Sequence, residues 1–289
     1  MTTQQGLTNG NQVIEALRTK GIIDFDCPFD SATLERWNKL LDPMFKKEGD
    51  KLRTFILIED LLKAGIFKEF WNDHMRSFVR GVMPDAVIET FEISEVSTHQ
   101  NEADNYGINN EWHRDIQDLP GLSLDEPYYV AIFIYLTDVG PESGGFEIRP
   151  IQPSIPPHEG DDIINVQGKI GTTFIWNRGY YHRASMNPSA IRRRIIKVSL
   201  QHNYLDSVIV SGELYKTLRG NVSGDPFLEF LLGSKHISTH YGYLLPEVTG
   251  PGLETHDDRS SNKKLNGGLW QFYRRVRFLL KRTLKKVFA

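Results

Sequence analysis

Hydrophobic positions along the chain change period partway through. From Asn11 to Lys20, Val13, Ile14 and Leu17 form one stripe at helical spacing, and Gly21 stops it. Gly21 to Phe25 then alternates as a strand. Asp30 and Ser31 can cap a second helix that runs to Leu41, with Leu34, Trp37 and Leu41 on one face. A third helical region spans about Ile58 to Phe78, with a break at Gly65. After Pro84 the period falls to two. Ala86–Ser97, Tyr128–Thr137, Gly144–Arg149, Thr172–Trp176 and Arg194–Tyr204 read as strands separated by Gly, Pro and Asn clusters. Helices first and strands later predict an α+β chain whose catalytic part is all-β. The expected organisation is N-terminal helices over 1–85, a β core over 86–205, an extension over 206–246, a Gly- and Pro-rich linker over 247–268, and a tail over 269–289.

Composition changes this picture little. With 289 residues, 39% of them hydrophobic and 25% charged, the chain is ordinary for a globular protein. Cys27 is the only cysteine, which excludes an intramolecular disulfide and fits a reducing compartment. Met1–Gln12 is polar, without the apolar core of a secretory signal, and no apolar run approaches the roughly 20 residues a spanning helix needs. A cytoplasmic location is expected. Charge is more telling. The tail carries seven basic residues and no acidic one; set against a net charge of −3 for the whole chain, it leaves the remainder at −10.

Candidate chemistry centres on Glu111-Trp112-His113-Arg114-Asp115. In a strand, side chains two apart share a face, so His113 and Asp115 would offer one imidazole and one carboxylate to a common point. His182, beyond the apolar strand Thr172–Trp176, is the natural third ligand. Two His and one carboxylate on one face of an octahedron leave three positions open, the arrangement of non-haem iron(II) oxygenases. A His₂-carboxylate zinc site satisfies the same ligands. Iron needs electrons to activate O₂, and 2-oxoglutarate can supply them; its far carboxylate calls for a forked cation, and Arg192-Arg193-Arg194 opens the strand after His182. An H-x-D triplet alone carries little information. The order strand, H-x-D, long strand, Gly-Gly turn, strand, His, Arg gives it weight.

The stretch from about Phe91 to Tyr204 resembles the phytanoyl-CoA dioxygenase family, within the double-stranded β-helix 2-oxoglutarate oxygenases. The matching residues are Trp112-His113-Arg114-Asp115, the run Gly171 to His182, then Asn187 and Arg193, five and eleven residues after the distal His. The resemblance implies a jelly-roll, cupin-like core that binds Fe(II) through His113, Asp115 and His182 and holds 2-oxoglutarate through Arg193. It further implies that O₂ is consumed, succinate and CO₂ are released, and a C–H bond is oxidised. One departure is that family members often carry a Pro-Gly-Ser-His-like segment after the Gly turn, whereas Gly144–Pro150 runs into a Pro-rich loop. Alternation leaves the arginine open: Arg192 and Arg194 share a face with Ile196, Val198 and Leu200, and Arg193 shares one with Ile195, Lys197 and Ser199. If the more apolar face lines the barrel, a neighbour of Arg193 holds the cosubstrate. Asp115 stands where related halogenases carry Gly or Ala, which argues for hydroxylation.

The remaining histidines add less. His99 and Gln100 end a strand near the site and are candidates for the pocket wall. His236 and His240 are four apart in a segment that does not read as a helix, so they are taken as a surface pair; His74, His158, His202 and His256 read as structural or solvated. In the tail, Leu269, Phe272, Tyr273, Val276, Leu279, Leu280, Leu284 and Val287 fall on one side of a helix drawn at 100° per residue. All seven basic residues fall on the other, with Phe278 and Phe288 among them. That pattern fits an interfacial helix on anionic lipid and, through it, a lipid-linked substrate; nothing else in the chain points to nucleic acid. Two other classes compete with an oxygenase: a catalytically silent, membrane-tethered β-barrel binding protein and a zinc hydrolase.

Overall fold

The computed structural model describes residues 10–48, 53–100, 111–115, 126–151, 153, 155, 157–202, 218 and 220–232. The extension beyond 232, the linker, the basic tail, and His236, His240 and His256 lie outside them. Elements follow in the order α1 (Gly10–Thr19), β1 (Ile22–Phe25), α2 (Ser31–Glu48), β2 (Arg53–Leu57), α3 (Ile58–Lys63), α4 (Ile66–Phe70), α5 (Asp73–Val82), β3 (Ala86–Val96), β4 (Tyr129–Tyr135), β5 (Phe146–Ile148), β6 (Ile164–Val166), β7 (Thr173–Asn177), β8 (His182–Ala184), β9 (Arg193–His202) and α6 (Pro226–Leu231).

Local chemistry accounts for most boundaries. Gly21 takes φ +74°, and a Cβ there would meet the Tyr180 ring, so α1 ends where the sequence predicts. Asp30 caps α2 through the Thr33 amide, and Asn72 caps α5 through the Met75 amide. The break at Gly65 is present, at φ +80°. Helix α2 runs past the expected end at Leu41 to Glu48, with Pro43 inside it. Burial of Phe45, 5% exposed, under the Arg194 guanidinium outweighs the hydrogen bond that Pro43 removes.

All the described strands pair antiparallel. The larger sheet has the order β1-β7-β4-β9-β3-β2, and the smaller β6-β5-β8. The N-terminal segment therefore closes the large sheet at both edges, β1 on β7 and β2 on β3. Both faces of this sheet are buried. Its outer face, with Ile132, Ile134, Ile196, Val198 and Leu200, packs on helices through Leu17, Trp37, Leu41, Phe67 and Phe70. Its inner face, with Ala131, Tyr135, Phe174, Trp176 and Ile195, meets Phe146 and Ile148 of the small sheet. The Tyr135 hydroxyl bridges the two sheets: it donates to Val166 O at 2.8 Å and accepts from the Phe146 amide at 3.2 Å. Burial pushes this phenol up to about 12, so it stays a donor.

Arginines 193 and 194 go to opposite faces. Arg194 points into the helical layer. There it is held by Glu95 at 2.6 Å, Asp42 at 3.0 Å and the Asn38 side chain at 2.7 Å. Glu95 is as buried as the cation, while Asp42 stands in solvent, so removing either member of the Arg194–Glu95 pair leaves an uncompensated buried charge. We expect Arg194→Met to cost about 3 kcal/mol in urea unfolding, with Glu95→Gln in the same chain recovering much of the loss. A shift under about 0.5 kcal/mol, the usual effect of a surface substitution, would show that the ion pair holds nothing together.

Candidate metal centre

The two sheets face each other across a cavity of about 260 Å³, and the three predicted metal ligands line it. His113 and Asp115 do not lie in a regular strand. His113 forms an isolated antiparallel bridge with His182: its amide donates to His182 O at 3.1 Å and receives from the His182 amide at 2.9 Å. That exchange of hydrogen bonds brings the H-x-D segment onto the exposed edge of β8. The ligand atoms of His113, Asp115 and His182 all lie within 4.8 Å of one another. Asp115 Oδ1 is 3.7 Å from His113 Nε2 and 3.6 Å from His182 Nε2.

Each imidazole is oriented by its other nitrogen. His113 Nδ1 lies 2.7 Å from Glu111 O, and His182 Nδ1 lies 3.1 Å from Tyr180 O. A carbonyl only accepts, so each Nδ1 carries the proton and each Nε2 presents a lone pair to the cavity. Burial, reinforced by the facing His182 ring, lowers His113 to about 4, so it is neutral at physiological pH. Burial alone would raise Asp115; the Lys197 ammonium and the two imidazoles outweigh it and hold the carboxyl far below its ordinary value. A neutral imidazole at His113 and a carboxylate at Asp115 are protonation states that suit a divalent ion. Trp176 and Phe146 lie against the His182 ring at 4.2 and 5.6 Å between centroids.

Of the three consecutive arginines, Arg193 is the one that lines this cavity, with Ile195 and Lys197 on the same face; Arg194 faces the helices. The more polar face of β9 is thus the inner one. Arg193 is 1% exposed. Its Nη1 reaches only the carbonyls of Ser143, Gly145 and Ser185, at 3.2–3.5 Å, and its Nε has no partner. Burial, and then the neighbouring Arg53, lower it to about 10. Among the described residues no carboxylate pairs with it. A fully buried cation without a counter-ion is costly, and is sustained where an anion completes the site.

Among the cavity residues that sequence reasoning missed, Arg53, Phe55 and Lys197 bear most on its chemistry. Arg53 and Phe55 come from β2, which lies just before the helical region expected from Ile58 and received no assignment from the sequence; it runs without a break into α3. In register, Arg53 pairs with Val96 and Val96 with Arg193, so the two guanidinium-bearing residues share a row two strands apart. The Arg53 Nε is also buried without a partner. Lys197 lies 3.7 Å from Asp115 Oδ2. Conversely, His99 and Gln100 are absent from the cavity wall. His99 turns the chain at φ 54°, and Gln100 accepts the Asn187 amide at 2.8 Å. Asn187 is fully buried and donates to Ser97 O and Ile191 O, tying down the loop that leads into β9 rather than entering the cavity. The departure after the Gly turn also has a local reason. Gly144 sits at φ +67°, and a Cβ there would be 2.1 Å from Met186 O, while Arg149 anchors the Pro-rich loop through Asp161 at 2.6 Å.

No protein-family model and no curated protein matches the sequence. Solved structures do match the fold. EvdMO1 aligns over 67% of this chain with a TM-score of 0.52 at 16% identity; the present chain spans half the length of that protein. The epimerase SnoN, in complex with Fe³⁺, alpha-ketoglutarate and nogalamycin RO, aligns over 67% of this chain and 84% of its own (TM-score 0.53, 11% identity). HygX from Streptomyces hygroscopicus, with nickel, 2-oxoglutarate and hygromycin B bound, aligns over 67% and 88% (TM-score 0.50, 15% identity). The core is therefore a double-stranded β-helix, the fold of the non-haem alpha-ketoglutarate-dependent epimerase SnoN.

Because Arg193 is buried without an acidic partner, Arg193→Met should leave the ligand-free protein within about 1 kcal/mol of the parent in urea unfolding, or above it. A loss above about 2 kcal/mol would make Arg193 a structural residue like its neighbour.

Proposed function

We propose that the protein is a non-haem iron(II) enzyme that uses 2-oxoglutarate and O₂ to oxidise a C–H bond of a small or lipid-linked substrate. The observation that carries this reading is that one cavity holds both a His-Asp-His cluster and a buried arginine that no carboxylate among the described residues pairs with. His113 and His182 through Nε2, with Asp115, would hold the iron. Arg193, with Arg53 beside it, would take the far carboxylate of 2-oxoglutarate. A zinc hydrolase has no use for a buried cation aimed at a second anion, and a silent binding barrel has no use for the three ligands. The resemblance of residues 91–204 to phytanoyl-CoA dioxygenases supports the same assignment.

When bound, iron and cosubstrate supply the oxidising power. The protein's part is to keep both imidazoles in the ligating tautomer, to orient the dianion, and to limit water with the wall of Phe133, Phe146 and Trp176. A carboxylate at Asp115 favours hydroxylation over halogenation. Outside the core, the pattern of residues 269–289 supports an anionic membrane surface as a partner, and with it a cytoplasmic protein held at the inner face of a membrane. Among the described residues no helix is long and apolar enough to cross a membrane.

Anaerobic titration with Fe(II) and 2-oxoglutarate should develop the weak visible band of the chelate. His113→Ala should lose iron binding, while Arg193→Met should keep iron and lose the band. Iron binding without a band in the parent protein would remove 2-oxoglutarate from the reading; no iron binding would remove the metal. For the tail, co-sedimentation with phosphatidylserine-containing vesicles should drop when residues 269–289 are deleted. Equal partitioning of both forms would sink the membrane assignment.

A further inference from the structure

The two oxygens of Asp115 face different groups. Oδ1 looks at both imidazole Nε2 atoms, 3.6 and 3.7 Å away. Oδ2 accepts Arg178 Nε at 2.9 Å and has the Lys197 ammonium at 3.7 Å. Arg178 comes from the turn after β7, four residues before His182. That turn is fixed by backbone bonds: Arg178 N donates to Tyr129 O, and Asn177 N to Gly21 O. The far end of the guanidinium is held by Glu89 through Nη1–Oε2 and Nη2–Oε1 contacts. Both residues are buried, Arg178 at 6% and Glu89 at 7% exposure.

Glu89 is delivered by an irregularity. Strand β3 pairs with β9 in one register up to Ile88 and in another from Thr90, so Glu89 is an extra residue at a β-bulge. Ile88 and Phe91, three apart, both pack on the helix side, a spacing that unbroken alternation forbids. The bulge absorbs the difference and leaves Glu89 on the cavity side, in contact with Arg178.

We infer that Arg178 is a positioning residue that holds Asp115 as a one-oxygen metal ligand, and that Glu89 orients Arg178 for this task. With Oδ2 engaged by Arg178, only Oδ1 is offered to the ion, so the carboxylate occupies one coordination position instead of two. The three positions opposite the ligands then remain open for cosubstrate and O₂. Lysine cannot replace Arg178, because one ammonium on a flexible stem does not bridge two carboxylates in a fixed plane.

This inference rests on the metal-centre reading, so the test separates the two. The probe is Co²⁺ added to the full-length protein without cosubstrate, read by titration calorimetry and by the visible absorption that reports its coordination number. Arg178→Gln and Arg178→Lys should each weaken Co²⁺ binding by about 10- to 100-fold, in the range for residues behind a metal ligand, and should change the visible spectrum. Glu89→Gln, the milder variant if Arg178 substitutions fold poorly, should move both readouts in the same direction by a smaller factor. Arg194→Met, which breaks an equally buried ion pair on the opposite face, should lower stability and leave Co²⁺ affinity and spectrum unchanged. Parent-like affinity and spectrum in the Arg178 or Glu89 variants overturn the positioning role while the metal centre stands. Failure of the parent protein to bind Co²⁺ overturns both.

Discussion

The site depends on one pair of backbone hydrogen bonds, those exchanged between His113 and His182. The H-x-D segment has no regular strand of its own, and β8 is three residues long. Neither would hold a side chain to a fraction of an ångström alone. Joined, they place three ligand atoms around a common point and lay the small sheet across the mouth of the large one. The rest of the fold serves that junction. The helices bury the outer face of the large sheet, and the Tyr135 hydroxyl ties the two sheets together.

Much of this was legible in the sequence because the informative residues obey local rules. The meeting of His113, Asp115 and His182, Gly21, Gly65, the Asp30 cap and the strands β3, β4, β7 and β9 follow from period, turn chemistry and order. The arginine could not be settled that way. Alternation separates Arg193 from Arg194, but both faces of β9 are buried, so hydrophobicity does not say which face is inside. The helix layer takes the more apolar face, and the cavity takes Arg193 and Lys197. Strand β2 was hidden for another reason: it passes straight into α3, and five residues of strand give no period distinct from the helix that follows. Glu89 was illegible in principle, since a bulge is set by pairing with a strand about a hundred residues away.

Adjacent arginines also show how one residue type serves stability and chemistry by its surroundings. Arg194 is surrounded by carboxylates and an amide, and its charge is an ordinary part of the helical interface. Arg193, one residue earlier, is as deeply buried, and among the described residues its hydrogen-bond partners are carbonyls. The second arrangement is poor as architecture and useful as a receptor. Such local conflict between folding and binding marks a functional site more clearly than the ligand triad does, because surface carboxylates and histidines cluster by chance more readily than buried cations go unpaired.

The placement of β1 and β2 at the two edges of the large sheet has a consequence for how the chain reaches this state. The first strand made, Ile22–Phe25, pairs with Thr173–Asn177, and β3 pairs with Arg193–His202. Contacts of such long sequence separation make for slow folding. At a synthesis rate of about 5–20 residues per second, the N-terminal elements wait many seconds for their partners to leave the ribosome. During that interval the apolar faces of the N-terminal helices and β1 lack the large sheet that they cover in the finished fold. The large sheet is therefore completed only when β7 and β9 are made, and the chain is most vulnerable before His182 can meet His113.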